Sequence, residues 1–179
     1  MQSKYYQKMS RALIIWKTFV YFTLFLILFH FVVTLKNRFI IYNLTISEPI
    51  GYYFTVPTHQ VLKGNLYTII IPQDYMTIIK SLGYCADGTL LKKIVASSGD
   101  IVSLSDSGIK VNGNSISNSK SKLVVRNINL NPIKSGFTYK LKKGEYWVMG
   151  NTINSYDSRY FGVITDKQIQ NHAIFLFNI

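Results

Sequence analysis

With 179 residues, 48% of them apolar, and a net charge of +12, the chain has room for about one domain plus an appendage, and carries more apolar residue than a small soluble domain needs. The basic excess suits an anionic membrane surface or a polyanion, but the lysines are scattered, with no long run and no nucleic-acid module, so no nucleic acid partner is expected. The single cysteine, Cys85, excludes an intrachain disulfide and reads as a packing or loop residue; the three histidines, His30, His59 and His172, are too dispersed to ligate a metal, and no cofactor is expected.

Ala12 to Leu35 is apolar apart from Lys17, and Thr18–Leu35 is uncharged and rich in Phe, Leu and Val. A helix rises about 1.5 Å per residue, so roughly 20 such residues cross the hydrocarbon of a bilayer. Lys17 can snorkel to the headgroups. Lys4, Lys8 and Arg11 precede the run, and Lys36 and Arg38 follow it. That modest bias predicts a cytoplasmic N-terminus over 1–11, a transmembrane anchor over 12–35 and an exported domain over 36–179. A cleaved secretory signal would have a shorter apolar region and small residues at its end. Here the run ends in Thr34-Leu35-Lys36-Asn37-Arg38-Phe39, which favours an uncleaved anchor with the lipid bilayer as a partner.

Next comes Asn43-Leu44-Thr45-Ile46-Ser47-Glu48-Pro49-Ile50-Gly51-Tyr52-Tyr53. Pro49 restrains the residue before it and Gly51 permits a tight bend, so the backbone at Ser47 is expected to be stiff. Such a serine is a turn residue or a nucleophile. Short segments rich in Ile, Val, Tyr and Thr then predict strands at Gly51–Val56, Leu66–Ile71, Leu91–Ala96, Ile109–Asn112, Leu123–Arg126, Phe137–Leu141, Glu145–Met149 and Ile174–Phe177. Val111-Asn112-Gly113-Asn114 reads as a hairpin turn. Only Asp74–Leu82 has a weak helical pattern. Long helices do not alternate with strands, which disfavours a parallel sheet. The expected product is a mainly β, antiparallel domain of about 140 residues, with Asp106–Ser121 as a hairpin-bearing insertion rather than a core of its own.

Two further segments carry polar groups in suggestive places. Leu90-Leu91-Lys92-Lys93-Ile94-Val95-Ala96-Ser97-Ser98-Gly99-Asp100 opens an apolar strand with two lysines. Neighbouring strand residues face opposite ways, so one lysine points inward if the strand has a buried side. Burial disfavours the ammonium and lowers its pKa, and a neutral amine can act as a general base. Two solvated lysines are the alternative. The other segment, Trp147 to Gly162, places Ser155, Asp157, Ser158 and Arg159 just after a strand, either as a polar surface loop or as a braced site.

In order along the chain, Ser47-x-Pro49, then Lys92-Lys93-Ile94-Val95…Gly99-Asp100, then Gly150…Ser155-Tyr156-Asp157-Ser158-Arg159-Tyr160-Phe161-Gly162 resemble the boxes of the type I signal peptidase family of Ser–Lys proteases. The likeness runs from about Tyr42 to the end. The reading Ser47-x-Pro49-x-Gly51-x-Tyr53 and the short interval from Gly150 to Ser155 are similar to the conjugative-transfer branch, the TraF-type pilin-maturation peptidases. Four positions depart from the housekeeping pattern: Glu48 for Met, Lys93 for Arg, Ser98 for Pro and Asn151 for Asp.

The resemblance implies a signal-peptidase-like fold in a bacterial inner membrane, with the catalytic domain on the periplasmic side. It implies Ser47 as nucleophile and Lys92 as general base. Ser155 would aim Lys92 through a hydrogen bond, and Thr45 with the Ser47 backbone N–H would form an oxyanion hole. Pro49, Gly99, Asp100, Asp157, Ser158 and Arg159 would support the site. The implied partner is a membrane-inserted precursor, pilin-like or bearing a signal peptide, which is cleaved or cyclised. A general signal peptidase and a non-catalytic membrane-anchored secretion component are the competing readings. A self-cleaving repressor of the related Ser–Lys fold would need a DNA-binding module where the anchor lies.

Overall fold

The computed structural model describes residues 2–71, 75, 89–122 and 132–178. The chain divides into two units, 1–40 and 41–179. The first is helix α1 (Gln2–Phe39), which runs past the expected anchor at both ends. Its stretch Leu13–Leu35 has a mean hydropathy of 2.2 and is long and apolar enough to cross a membrane. The hydroxyls of Thr18, Thr23 and Thr34 donate to the carbonyls of Ile14, Phe19 and His30, one turn back. The helix therefore satisfies these hydroxyls itself, as a segment in hydrocarbon must.

The second unit is built on strands β1 (Ile40–Asn43), β2 (Gly51–Pro57), β3 (Leu66–Ile70), β4 (Thr89–Ala96), β5 (Ile101–Ser105), β6 (Gly108–Val111), β7 (Asn114–Ser115), β8 (Thr138–Lys140), β9 (Glu145–Met149), β10 (Ile164–Thr165) and β11 (Ile169–Phe177), with a one-turn helix α2 (Ser158–Phe161). One sheet has the order β1-β2-β11-β3-β4-β9-β10 and the other β7-β6-β5-β8. The ladders from β2 through β11, β3, β4 and β9 to β10 are all antiparallel, as expected. Strand β11 returns from the end of the chain to pair with both β2 and β3.

In the longer sheet, Tyr67, Ile69, Leu90, Ile94 and Val148 pack with Tyr156, Tyr160, Phe161 and Ile164 in one apolar cluster. Strand β4 is buried on both faces over Leu90, Leu91 and Lys92, because it lies between β3 and β9. Tyr67 of β3 stands directly opposite Lys92 in the register, and Leu66 opposite Lys93. Directly opposed residues share a face, so Lys92 lies on the side of Tyr67 and Ile94.

Two expectations are corrected. Residues 106–121 are not an insertion without a core. Their strands β6 and β7 join β5 and β8 in the second sheet, and Val102, Leu104, Ile109, Val111 and Leu141 pack there against Ala96, Trp147 and Met149. Strand β6 offers only two buried apolar side chains, too few to declare a core until the partner strand is known. The terminal strand begins at Ile169, not Ile174, because pairing on two sides carries Asn171 and His172 into the ladder despite their polarity, with Gln170 at a register shift. The expected hairpin is present, with Asn112 and Gly113 both at positive φ (52° and 83°) between β6 and β7, as a tight turn of this kind requires. The strand expected at Leu123–Arg126, the weak helix at Asp74–Leu82 apart from Tyr75, and Cys85 lie outside the described residues.

Candidate active site

The loop carrying Ser47 joins β1 to β2 and is wrapped around one carboxamide. Asn43, the last residue of β1, is buried. Its Nδ2 lies 2.9 Å from the Thr45 carbonyl, 3.0 Å from that of Glu48 and 3.0 Å from that of Pro49. Its Oδ1 accepts from the Thr45 N–H at 3.1 Å and from the Thr45 hydroxyl at 2.9 Å. Asn is suited to this because its side chain mimics a backbone turn. Tyr53 adds a hydrogen bond from its hydroxyl to the Pro49 carbonyl at 2.7 Å, and the Asn151 N–H donates to the Ser47 carbonyl at 2.7 Å. The stiffness expected from Pro49 is thus a network property.

Ser47 is 2% exposed and Lys92 3% exposed. Lys92 Nζ donates to Ser47 Oγ at 2.9 Å, although 45 residues separate them. Ser47 Oγ is also 2.9 Å from Thr45 Oγ1, which gives its own proton to Asn43. With Lys92 charged, the hydrogen bonds therefore run Lys92 to Ser47 to Thr45 to Asn43. Burial pushes the Lys92 ammonium down to about 8. Asp157 and Glu48 oppose that effect and Arg159 assists it. The inward lysine of the pair is Lys92; Lys93 is half-exposed and donates to Asn151 Oδ1 at 3.3 Å.

The third segment follows β9. Gly150 opens it, and a Cβ there would collide with Ser155 Oγ and stand 3.0 Å from Ser47 Cβ, so glycine allows the two serine segments to approach. Asp157 caps α2 by accepting from the Arg159 N–H, and its Oδ2 accepts from the Gly150 N–H at 3.0 Å. The Arg159 guanidinium pairs with Asp157 at 2.6 Å, both fully buried. It also donates to the carbonyls of Thr152, Ser155, Asn118 and Lys120, tying the loop to residues 118–120. Ser158 Oγ accepts from the Val148 N–H at 2.9 Å, fixing α2 to β9.

The hydrogen bond expected between Ser155 and Lys92 is not formed. Ser155 Oγ is buried without a partner among the described residues, while the Lys92 amine is engaged by Ser47. Gly99 and Asp100 form the turn between β4 and β5, where the Gly99 N–H donates to the Leu141 carbonyl at 2.8 Å. Burial pushes the Asp100 carboxyl up, but hydrogen bonds from Ser97, Lys63 and Asn112, with the Lys63 charge, hold it below the usual carboxylate range. These contacts brace the turn rather than the serine.

With the geometry in place, comparison with known proteins bears on what it belongs to. The sequence model of the family described as signal peptidase, peptidase S26, matches residues 12–178. The chain belongs to the signal peptidase family. Two curated relatives from Escherichia coli are both described as plasmid transfer protein TraF. One is 30% identical over 138 residues, covering 71% of this chain and 76% of the relative. The other is 29% identical over 137 residues, covering 72% and 76%. This family member is thus TraF-like. A crystal structure of a signal peptidase I from Enterococcus faecalis V583 aligns at 20% identity and a TM-score of 0.36, covering 62% of this chain and 93% of that one. The apolar helix α1 and the family together point to a membrane-anchored protein.

Three site residues of this signal peptidase family member were not singled out for their part in it by sequence reasoning. Asn43 organises the serine loop; its position as an Asn two residues before a hydroxyl residue was a legible Asx-turn signal. Asn151 joins the serine loop to the Gly150 segment through its backbone and to Glu48 through its side chain. Glu48, beside the nucleophile candidate, is 2% exposed, which nothing in a polar turn announces.

Proposed function

We propose that the chain is a membrane-anchored serine endopeptidase in which Ser47 attacks and Lys92 is the general base. The observation that carries this reading is the 2.9 Å contact between Ser47 Oγ and a Lys92 amine whose burial lowers its pKa to about 8. Neutral Lys92 accepts the Ser47 proton as Oγ adds to a peptide carbonyl, and returns it to the departing amine. The resulting acyl-enzyme is resolved by water or by an amine. The Ser47 N–H and the Thr45 hydroxyl stabilise the oxyanion, Thr45 exchanging its Asn43 acceptor for the developing charge. Each such donor contributes about 10²–10³ in rate. Asp157, Ser158 and Arg159 hold the loop that faces Ser47, and Ser155 packs against Gly150. Pro49, Gly99 and Asp100 shape the two turns.

The substrate we propose, from the resemblance to TraF-type peptidases, is a pilin-like precursor; the relatives described as plasmid transfer proteins support a part in conjugative transfer. Helix α1 would anchor the enzyme in the inner membrane with its N-terminus cytoplasmic and the catalytic unit periplasmic. The test is mass spectrometry of a candidate pilin precursor and of a generic secretory precursor, each co-expressed with the wild type, Ser47→Ala or Lys92→Ala. Cleavage of the pilin alone, lost in both variants, is the expected result. Cleavage of both precursors would replace this substrate assignment with a general signal peptidase. Processing that survives both substitutions would overturn the enzyme assignment.

A further inference from the structure

Glu48 adjoins Ser47 in the chain, yet the chemistry above gives it no task. Its side chain is not a solvated turn residue: it is 2% exposed. Oε2 accepts from Asn151 Nδ2 at 2.8 Å, whereas Oε1 is covered and has no hydrogen-bond partner among the described residues. A buried acceptor left unpaired is unfavourable, and a side chain needed only to fill space would be apolar. The same residue lines a cleft of about 620 Å³. The cleft is otherwise walled by Ile46, Pro49, Ile50 and Phe175, with Asn151 beside the carboxyl and the polar Asn178 completing the lining. Ile46 and Ile50 are 64% and 43% exposed, so apolar surface stands open to solvent on either side of the nucleophile's turn. Mostly apolar walls around a buried, unpaired carboxylate oxygen suit a ligand with an apolar stem and a hydrogen-bond donor at its tip.

We propose that this cleft is a substrate subsite in which Glu48 receives a hydrogen-bond donor from the side chain of a residue flanking the scissile bond. The inference rests on the peptidase reading above and assigns that site a substrate class. The terminal torsion of a glutamate is broad, so turning the carboxyl brings Oε1 to the entering donor without moving the backbone. A site built around such an acceptor discriminates against an analogue that lacks the donor, because the acceptor then stays unpaired. The donor is cationic, as in Lys, or neutral, as in Gln; Lys93 and Lys92, which also act on Glu48, weigh against the cation.

The experiment measures binding without turnover. The full-length Ser47→Ala chain in detergent micelles is titrated into fluorescent apolar peptides centred on alanine, followed by anisotropy. Norleucine at each flanking position is replaced in turn by Lys, Gln or Glu. At one position the Lys or Gln peptide is expected to bind at least about tenfold more tightly than the norleucine peptide, and the Glu peptide more weakly. Adding Glu48→Met should bring the donor and norleucine peptides within about twofold of each other, with thermal unfolding as the check on folding. Should that variant not fold, Glu48→Leu, which is apolar and carries no acceptor, decides: the donor advantage, whether of Lys or of Gln, must shrink. No donor preference at any position, no binding at all, or a preference untouched by substitution overturns the subsite. Because the readout needs no cleavage, precursor processing that persists alongside such a result leaves the peptidase reading standing.

Discussion

Replacing Lys92 with Met should make the protein more stable and inactive. Lys92 is 3% exposed, and its pKa falls from 10.5 to about 8 through burial. At about 1.4 kcal/mol per pH unit, that gap means the charged form is disfavoured by roughly 3 kcal/mol in the folded chain. The sign follows from proton binding. Between about 8 and 10.5 the unfolded chain holds a proton on Lys92 that the folded chain has released, so stability rises with pH across that window. Below about 8 both states are protonated and the full penalty is in force. Lys92→Met removes the penalty and keeps the volume, so at pH 7 the variant should gain about 3 kcal/mol, or about 6–12 °C in Tm for a unit of this size. The gain should shrink as the pH is raised through 8 toward 10.5. Thermal unfolding of the full chain in detergent, followed by circular dichroism at pH 7 and pH 10, measures both. A variant less stable than wild type at pH 7, or a difference that does not shrink at pH 10, refutes the claim that burial sets the Lys92 pKa.

Four other outcomes are expected. Cleavage measured as kcat/KM should rise about tenfold per pH unit below about 8 and level off above it, as Lys92 becomes neutral. Glu48→Gln removes a charge that raises the Lys92 pKa, so its acid limb should move to lower pH. Gly150→Ala forces a Cβ against Ser155 Oγ and to 3.0 Å from Ser47 Cβ; it should cost about 1–3 kcal/mol in thermal unfolding and about 10²-fold in precursor cleavage. Arg159→Met leaves the Asp157 carboxylate buried without its partner 2.6 Å away. It should destabilise by about 3–5 kcal/mol in chemical denaturation, and adding Asp157→Asn should restore part of the loss.

The extent to which the site was legible depends on how local each signal is. Ser47 and Lys92 stand in short motifs, and their segments do meet. Which of Lys92 and Lys93 turns inward was legible only through the family motif and not from the strand pattern, because Leu90 and Leu91 are both buried and give β4 no parity. The pairing of Lys92 with Tyr67, set by a strand 25 residues earlier in the register, decides it. The contact of Ser155 was misjudged since the direction of a hydroxyl depends on loop geometry that Gly150 and Arg159 create together. The burial of Glu48 was illegible for the same reason: Asn151, its hydrogen-bond partner, lies 103 residues away. The antiparallel fold was readable from alternation and turn residues, whereas the second sheet was not, because β5 and β6 each bury only two apolar side chains.

A lysine proposed to act in its neutral form constrains every acid near it. Asp157 and Glu48 both raise the Lys92 pKa, yet the loop needs a carboxylate at 157 to hold the Gly150 N–H and to cap α2. Arg159 reconciles the two demands. It pairs with Asp157 inside the protein, and its charge lowers the Lys92 pKa where that of Asp157 raises it. Arg159→Met should therefore do more than destabilise the loop: it should move the acid limb of activity to higher pH, an effect that a purely structural role would not produce. Glu48 is restrained differently. Burial pushes its carboxyl up to about 7 against the pull of Lys93 and Lys92, which weakens its hold on the Lys92 charge. One acid is kept from holding the proton on Lys92 by a fixed counter-charge, and the other by its own burial.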